Sequence, residues 1–204
     1  MYIIGITGGT GAGKTTVLRA LEAFGALVLD CDKIYHELLS ENTELKAKLE
    51  ARFPGVLDGD IIDRSLLGET VFSDPSALND LNAITHKYVD DEVQRRISEQ
   101  KEKGEKIVAI DAVALIESGI REKCDYVIGV IAPAALRISR VMARDGITRV
   151  QAEKRINAQK EDSFYAENSD AVLEGAYDTP EEFMAKCSEF FTELLSERGS
   201  NSSR

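Results

Sequence analysis

The chain has 204 residues, with 25 Lys and Arg against 36 Asp and Glu, for a formal net charge of −11. That length suits one generous domain carrying lobes on a common core, and the acidic balance argues against a nucleic-acid partner, which needs a basic face to displace counterions. Cys31, Cys124 and Cys187 are odd in number and lack C-x-x-C spacing, so neither a disulfide framework nor a zinc site is expected and a reducing, cytoplasmic setting fits. No apolar run approaches the roughly twenty residues of a membrane span, and no positive charge precedes Lys14, so neither a membrane anchor nor a secretory leader is expected.

The first element is the apolar run Tyr2 to Ile6, which leads into Gly8-Gly9-Thr10-Gly11-Ala12-Gly13-Lys14-Thr15 and then Val17-Leu18-Arg19-Ala20-Leu21. This is a phosphate-binding loop between a strand and a helix. Glycines let successive N–H groups turn inward, the helix adds its own free amides, Lys14 supplies a mobile charge for β and γ oxygens, and the Thr15 hydroxyl suits Mg²⁺. ATP or GTP is the expected ligand. A dinucleotide fingerprint is excluded, because a G-x-G-x-x-G frame from Gly9 would need glycine where Lys14 stands.

Further apolar runs at 26–30, 107–111 and 126–131, and a weaker one near 170–173, read as strands. Continuous rather than alternating apolarity means that both faces are covered, as in a parallel sheet with helices on each side. An α/β domain of three layers, α/β/α, on a five-stranded parallel sheet is therefore expected. About 75 residues separate the second and third strands, far more than a crossover needs, and their pattern is helical throughout, so they form an insert. Within it, residues 75–101 place Leu78, Leu81, Ile84, Tyr88, Val89, Val93 and Ile97 on one stripe, started by Asp74-Pro75. Thr148 with Gln151, and Thr179-Pro180 with Glu182, are capping-box starts. Residues 144–168 carry Arg144, Arg149 and Arg155; such a segment is either a lid or a solvated helix pair. The polar residues Glu197 to Arg204 are expected to fray.

Ligands of such sheets bind beyond the carboxyl ends of the strands, where Asp30, Asp32 and Asp111 stand. Asp32 suits a base that accepts a hydroxyl proton, whereas Asp30 either serves that role or caps the following helix. Asp111 either orients Mg²⁺ through water or merely ends its strand.

These residues resemble the dephospho-coenzyme A kinases of bacteria. The likeness begins with Ile4 to Thr16 and Val28-Leu29-Asp30-Cys31-Asp32-Lys33-Ile34. It continues through Asp63-Arg64-Ser65-Leu66, Val71-Phe72, Leu81 to His86 and Asp111 to Glu117. Arg144-Asp145, Ile147-Thr148-Arg149, Lys154-Arg155-Ile156 and Ala158-Gln159 complete it. It covers roughly Tyr2 to Leu173, in the family's order. The chain departs from the pattern at Lys87, where proline is usual, at Asp111 to Glu117, which lacks a proline, and at Glu174-Gly175-Ala176.

The resemblance implies a P-loop kinase fold with core 1–30, 105–143 and 169–198, a substrate-binding insert 31–104, a lid 144–168 and a tail 199–204. It implies transfer of the ATP γ-phosphoryl to the ribose 3′-hydroxyl of dephospho-coenzyme A, with Mg²⁺, in a cytoplasmic monomer or weak homo-oligomer. Asp32, Lys14 and Arg144 are then catalytic. Gly9, Gly11, Ala12, Gly13, Lys14, Thr15, Thr16, Arg144 and Arg149 hold ATP; Thr7, Asp32, Arg64 and His86 hold the acceptor; Thr15, and Asp111 through water, hold the metal. The residues alone leave open another small-molecule kinase of this loop class. A GTPase switch would need D-x-x-G and N-K-x-D, and neither string occurs.

Overall fold

The structure, a computed structural model, describes residues 1–177 and 179–201, and the side chains of these except Phe72 and 199–201. Two compact units emerge: residues 1–29 with 104–204, and residues 30–103.

The first unit is built on a five-stranded sheet in the order β2-β5-β1-β6-β7, from β1 (Tyr2–Thr7), β2 (Leu27–Asp30), β5 (Ile107–Asp111), β6 (Tyr126–Ile131) and β7 (Ala171–Glu174). β1 pairs in parallel with β5, Ile6 opposite Asp111, and with β6, Ile6 opposite Ile128; β6 pairs in parallel with β7. Ile4, Ile6, Val108, Ile110, Val127 and Ile128 are fully buried, as continuous apolar runs require of strands covered on both faces. Two aspartates start the ladders. Asp125 accepts from the Ile3 amide at 2.8 Å while its own amide donates to the Ile3 carbonyl, and Asp170 treats Val127 in the same way. Each closes a strand start that would otherwise leave a backbone donor without a partner.

Helix α1 (Lys14–Ala23) and the C-terminal helix α9 (Pro180–Asn201) cover one face, where Val17, Ala20, Leu21, Phe183, Cys187 and Phe191 pack on Ile4, Ile6 and Ile128. On the other side, α6 (Ala134–Asp145) packs with α7 (Arg149–Asn157), and α8 (Asp162–Glu167) lies against β6 with Tyr165 buried. Both expected capping contacts form: Thr148 and Gln151 make a reciprocal box, and Thr179 Oγ1 accepts from the Glu182 amide at 3.2 Å. Helix α9 corrects the reading of a frayed end from Glu197, because it continues to Asn201. The rest of that tail, 202–204, lies outside the described residues.

In the second unit, α5 (Pro75–Glu102) is the spine. Asp74 caps it by accepting from the Ser76 amide at 2.8 Å, with Pro75 in its first turn. Leu81, Val89 and Val93 are buried as the stripe predicts, while Ala77 and Thr85 are buried beside them and Leu78, Ile84 and Tyr88 sit half-buried at the edge. The stripe is thus rotated slightly from the one read by counting large apolar residues. Against it pack α2 (Cys31–Glu41), α3 (Thr43–Arg52) and α4 (Arg64–Ser73), closing a core around Leu39, Leu45, Leu49, Phe53 and Leu67.

The unit is not helical throughout. Leu57–Asp58 (β3) and Ile61–Ile62 (β4) form a small antiparallel hairpin, closed by the two-residue turn Gly59-Asp60 with Gly59 at φ +61°. The buried Lys46 secures it, its Nζ lying 2.7 Å from the Asp60 carbonyl and 3.1 Å from its carboxylate.

Candidate active site

The phosphate loop occupies residues 8–15, between β1 and α1. Gly8 has φ +140°, and a Cβ there would sit 2.1 Å from the Val130 carbonyl oxygen, so only glycine lets the loop leave β1 this close to β6. Lys14 reaches back across the loop and donates to the Gly8 carbonyl at 2.9 Å. Its ammonium is therefore already held over the loop. Thr15 is exposed in the first turn of α1, where a helix N-terminus favours anions. Loop amides, a lysine and an open hydroxyl in this order can bind the phosphates of a nucleotide.

The dephospho-CoA kinase family model matches residues 2–181, which takes in the loop, the whole second unit and the arginine-rich segment. The chain belongs to the dephospho-CoA kinase family. The Geobacter sulfurreducens dephospho-CoA kinase is 38% identical over 194 residues, covering 94% of this chain and 98% of that protein. Among solved structures, TT1252 from Thermus thermophilus aligns with a TM-score of 0.77 at 32% identity, over 96% of this chain and 97% of that one. A shikimate kinase from Bacteroides thetaiotaomicron aligns with a TM-score of 0.60 at 11% identity, covering 96% of this chain and 98% of that one, and so shares the fold alone.

Family membership directs attention to the cations around the loop. Arg137, Arg140 and Arg144 stand three and four residues apart, on one face of α6. Only Arg144 was expected from the sequence; the spacing of the other two was the available signal.

Arg137 is buried, and its guanidinium donates through Nε to the Thr10 carbonyl at 3.0 Å, through Nη1 to Asp162 at 3.1 Å and through Nη2 to Gln159 at 2.8 Å. Arg140 donates to the carbonyls of Gly11, at 3.2 Å, and Gly175, at 2.8 Å, so it ties the loop to the segment after β7. Burial lowers the Arg140 pKa from its ordinary value, yet a guanidinium stays charged. Close packing reinforces that tie, since a Cβ on Gly175 would lie 2.0 Å from the Ala12 carbonyl oxygen.

Arg144 lies at the end of α6 and grips Asp145 with two hydrogen bonds, of 2.7 and 3.0 Å; Arg155 reaches the same carboxylate. The hydrogen bonds from Arg144 hold the Asp145 carboxyl below its usual range and raise the arginine in turn. Arg149 pairs with Glu153 at 2.8 Å. Within the segment, Ala152, Ile156 and Tyr165 are buried in the first unit.

Thr7 is fully buried, its hydroxyl donating to the Val113 carbonyl at 3.1 Å, which pins the chain after β5 to the end of β1. Asp111 ends β5 beside Ile6, and the Ala112 amide bonds to the Ile6 carbonyl. Asp111 offers a carboxylate and Thr15 a hydroxyl, a sparse set of hard-oxygen donors. Such a set fits Mg²⁺, which keeps several waters and takes phosphate oxygens as partners.

In the second unit, Asp30 and Asp32 both stand exposed at the start of α2, Asp30 as its N-cap, accepting from the Lys33 amide at 2.9 Å, and Asp32 in its first turn. Arg64 opens α4 with one guanidinium nitrogen 3.4 Å from the His36 ring. His86 lies on α5, on the turn that carries the buried Thr85.

Proposed function

We propose that the chain transfers the γ-phosphoryl of ATP to the ribose 3′-hydroxyl of dephospho-coenzyme A, giving coenzyme A and ADP, the final step of coenzyme A synthesis. The observation that carries this reading is the extent of the family match, which includes residues 30–103 as well as the loop. The fold alone would not do so, because the shikimate kinase shares that fold while its name points to a different acceptor.

Lys14 and the loop amides neutralise charge that moves onto the bridging oxygen as the γ-group departs. Gly9, Gly11, Ala12, Gly13, Thr15 and Thr16 line the phosphates. Thr15, and Asp111 through water, would hold Mg²⁺, which would supply neutralisation of the phosphate charge. Asp32 accepts the 3′-hydroxyl proton; that Asp30 is occupied as a cap supports this choice. Arg144 and Arg149 close over the transferring group from a lid at 144–168, their guanidinium forks matching phosphate oxygens. Arg64 and His86, in the insert 31–104, hold the acceptor together with Thr7, whose hydroxyl is bonded to the Val113 carbonyl. The core is 1–30, 105–143 and 169–198, within a single kinase domain that works in the cytoplasm as a monomer or weak homo-oligomer. Among the described residues no helix is long and apolar enough to cross a membrane.

A coupled assay of ADP release tests the assignment, with dephospho-coenzyme A compared against AMP, CMP, adenosine and gluconate as acceptors. Release that depends on dephospho-coenzyme A is expected. Release with another acceptor in preference, or with none, overturns it.

A further inference from the structure

Thr10, at the crown of the phosphate loop, is gripped at all three of its polar atoms by side chains from outside the loop. Its amide donates to Gln159 Oε1 at 2.8 Å, its hydroxyl accepts from Gln159 Nε2 at 2.9 Å, and its carbonyl accepts from Arg137 Nε at 3.0 Å. The grip is cross-braced. Gln159 Oε1 also accepts from Arg137 Nη2 at 2.8 Å, and Arg137 Nη1 is anchored on Asp162. Two donors converge on one oxygen of Gln159, so the orientation of its amide follows from the network itself. Arg137 is only 4% exposed, although long charged side chains are seldom buried unless paired. Room for it comes from Gly9, where a Cβ would lie 2.0 Å from Arg137 Nη2.

The consequence lies one bond further on. The peptide linking Thr10 to Gly11 is planar and trans, so its C=O and N–H point in opposite directions. Fixing the Thr10 carbonyl on Arg137 turns the Gly11 amide away from α6. A glycine amide with Gly11 at φ +80° has little else to hold its direction.

We propose that Arg137, braced by Gln159 and Asp162, is a positioning residue that aims the Gly11 amide at the phosphates of the bound nucleotide, where negative charge develops during transfer. Arg137 touches neither substrate; it acts through the backbone of the crown. Because Gln159 and Asp162 lie between and at the start of α7 and α8, the same contacts link the arginine-rich segment to the shape of the loop. The inference rests on the loop's binding ATP.

Preorganised donors matter most where charge appears in the transition state, so the loss should fall on turnover rather than on ground-state binding. Arg137→Met keeps the apolar stem and removes every donor. It should lower kcat roughly ten- to a hundredfold, with KM for ATP moving less than about threefold. Arg137→Lys, which keeps charge without the fork, should not restore the rate. Gly9→Ala provides a second route, displacing the guanidinium while leaving Arg137 in the chain. Its effect on kcat should be similar, and small when added to Arg137→Met, because both act on one contact.

The direct readout is the Gly11 amide resonance in ¹⁵N-labelled protein titrated with ADP and Mg²⁺. It should shift in the wild type and fail to shift in Arg137→Met. Wild-type protein that binds ADP, beside an Arg137→Met variant with normal kcat and a normal Gly11 shift, overturns the positioning role alone. So does a variant that lowers the melting temperature with kcat intact, or Gly9→Ala and Arg137→Met losses that simply add. Failure of the wild type to bind ADP overturns the nucleotide reading, and this one with it.

Discussion

Gly8→Ala tests how tightly the loop is built into the sheet. Two costs add. At φ +140° an L side chain is strained, by about 1–2 kcal/mol. The new methyl would also lie 2.1 Å from the Val130 carbonyl oxygen and 3.2 Å from its amide nitrogen. That is an overlap of about 1 Å against backbone, which cannot rotate aside as a side chain can. β6 is hydrogen-bonded in parallel to β1 on one edge and β7 on the other, so the strand cannot yield without loosening both ladders. Overpacking of this kind costs about 1–3 kcal/mol, for a total near 3 kcal/mol, or roughly 6–12 °C in Tm for a chain of this size. Gly25→Ala is the control. Gly25 has φ +82° with nothing within 4 Å of the added methyl, so it carries the strain alone, about 1–2 kcal/mol. Thermal melts should therefore separate the two variants by about 1–3 kcal/mol. Nucleotide titration should separate them further, since Gly8 holds the carbonyl to which Lys14 donates. Equal melting temperatures and equal ATP affinities for the two variants would refute the claim that steric contact with β6 fixes the loop.

Asp32→Asn should retain ATP binding and lose on the order of a hundredfold or more in kcat, measured by ADP release; a near-normal rate would reassign the base. Lys14→Ala should weaken ATP use by a factor of a hundred or more, on the order of magnitude of a lost charge near phosphate, while its Tm changes by only a few degrees; unchanged ATP kinetics would contradict the role. In the second unit, hydrogen bonds from Arg95, with a lesser share from Arg96, hold the Glu92 carboxyl down at about 2, against an ordinary 4.5. A depressed carboxyl stabilises the fold above its unfolded pKa, and that contribution is lost as pH falls from about 4.5 through about 2. Glu92→Gln should thus flatten the acid limb of a stability-against-pH curve in that window, and an unaltered limb would show that the pair contributes nothing.

The sheet was legible because its chemistry is local. Each strand is a continuous apolar run, and the runs at 107–111 and 126–131 coincide with β5 and β6. The loop was legible for the same reason, since its glycines and Lys14 are contiguous. The hairpin at 57–62 was missed because its two strands have two residues each, too short for any period to show, although Gly59-Asp60 was a usable turn signal. The stripe of α5 was read slightly off its axis because Ala77 and Thr85 are small. Thr85 is tolerated in the core because its hydroxyl donates to the Leu81 carbonyl at 2.8 Å. Arg137 and Arg140 were missed for a different reason. Their partners are the carbonyls of Thr10, Gly11 and Gly175, and backbone acceptors leave no trace in a sequence.

The arginines around the loop therefore fall into two kinds, and the distinction resolves how a chain of net charge −11 accommodates a triphosphate. Arg144 and Arg149 are 61% and 70% exposed and paired with Asp145 and Glu153 on their own segment. An exposed single pair such as Arg149–Glu153 is worth only about 0–1 kcal/mol, so a phosphate oxygen could replace that carboxylate at little cost. Arg144 is held more firmly, by two hydrogen bonds to a carboxylate that it shares with Arg155. Arg137 cannot be exchanged so cheaply, because withdrawing its buried guanidinium would strand the Thr10 carbonyl and break the Gln159 brace together. On the proposed function, Arg144 and Arg149 would meet the nucleotide while Arg137 keeps the crown of the loop in shape, and neither task requires the protein as a whole to be basic.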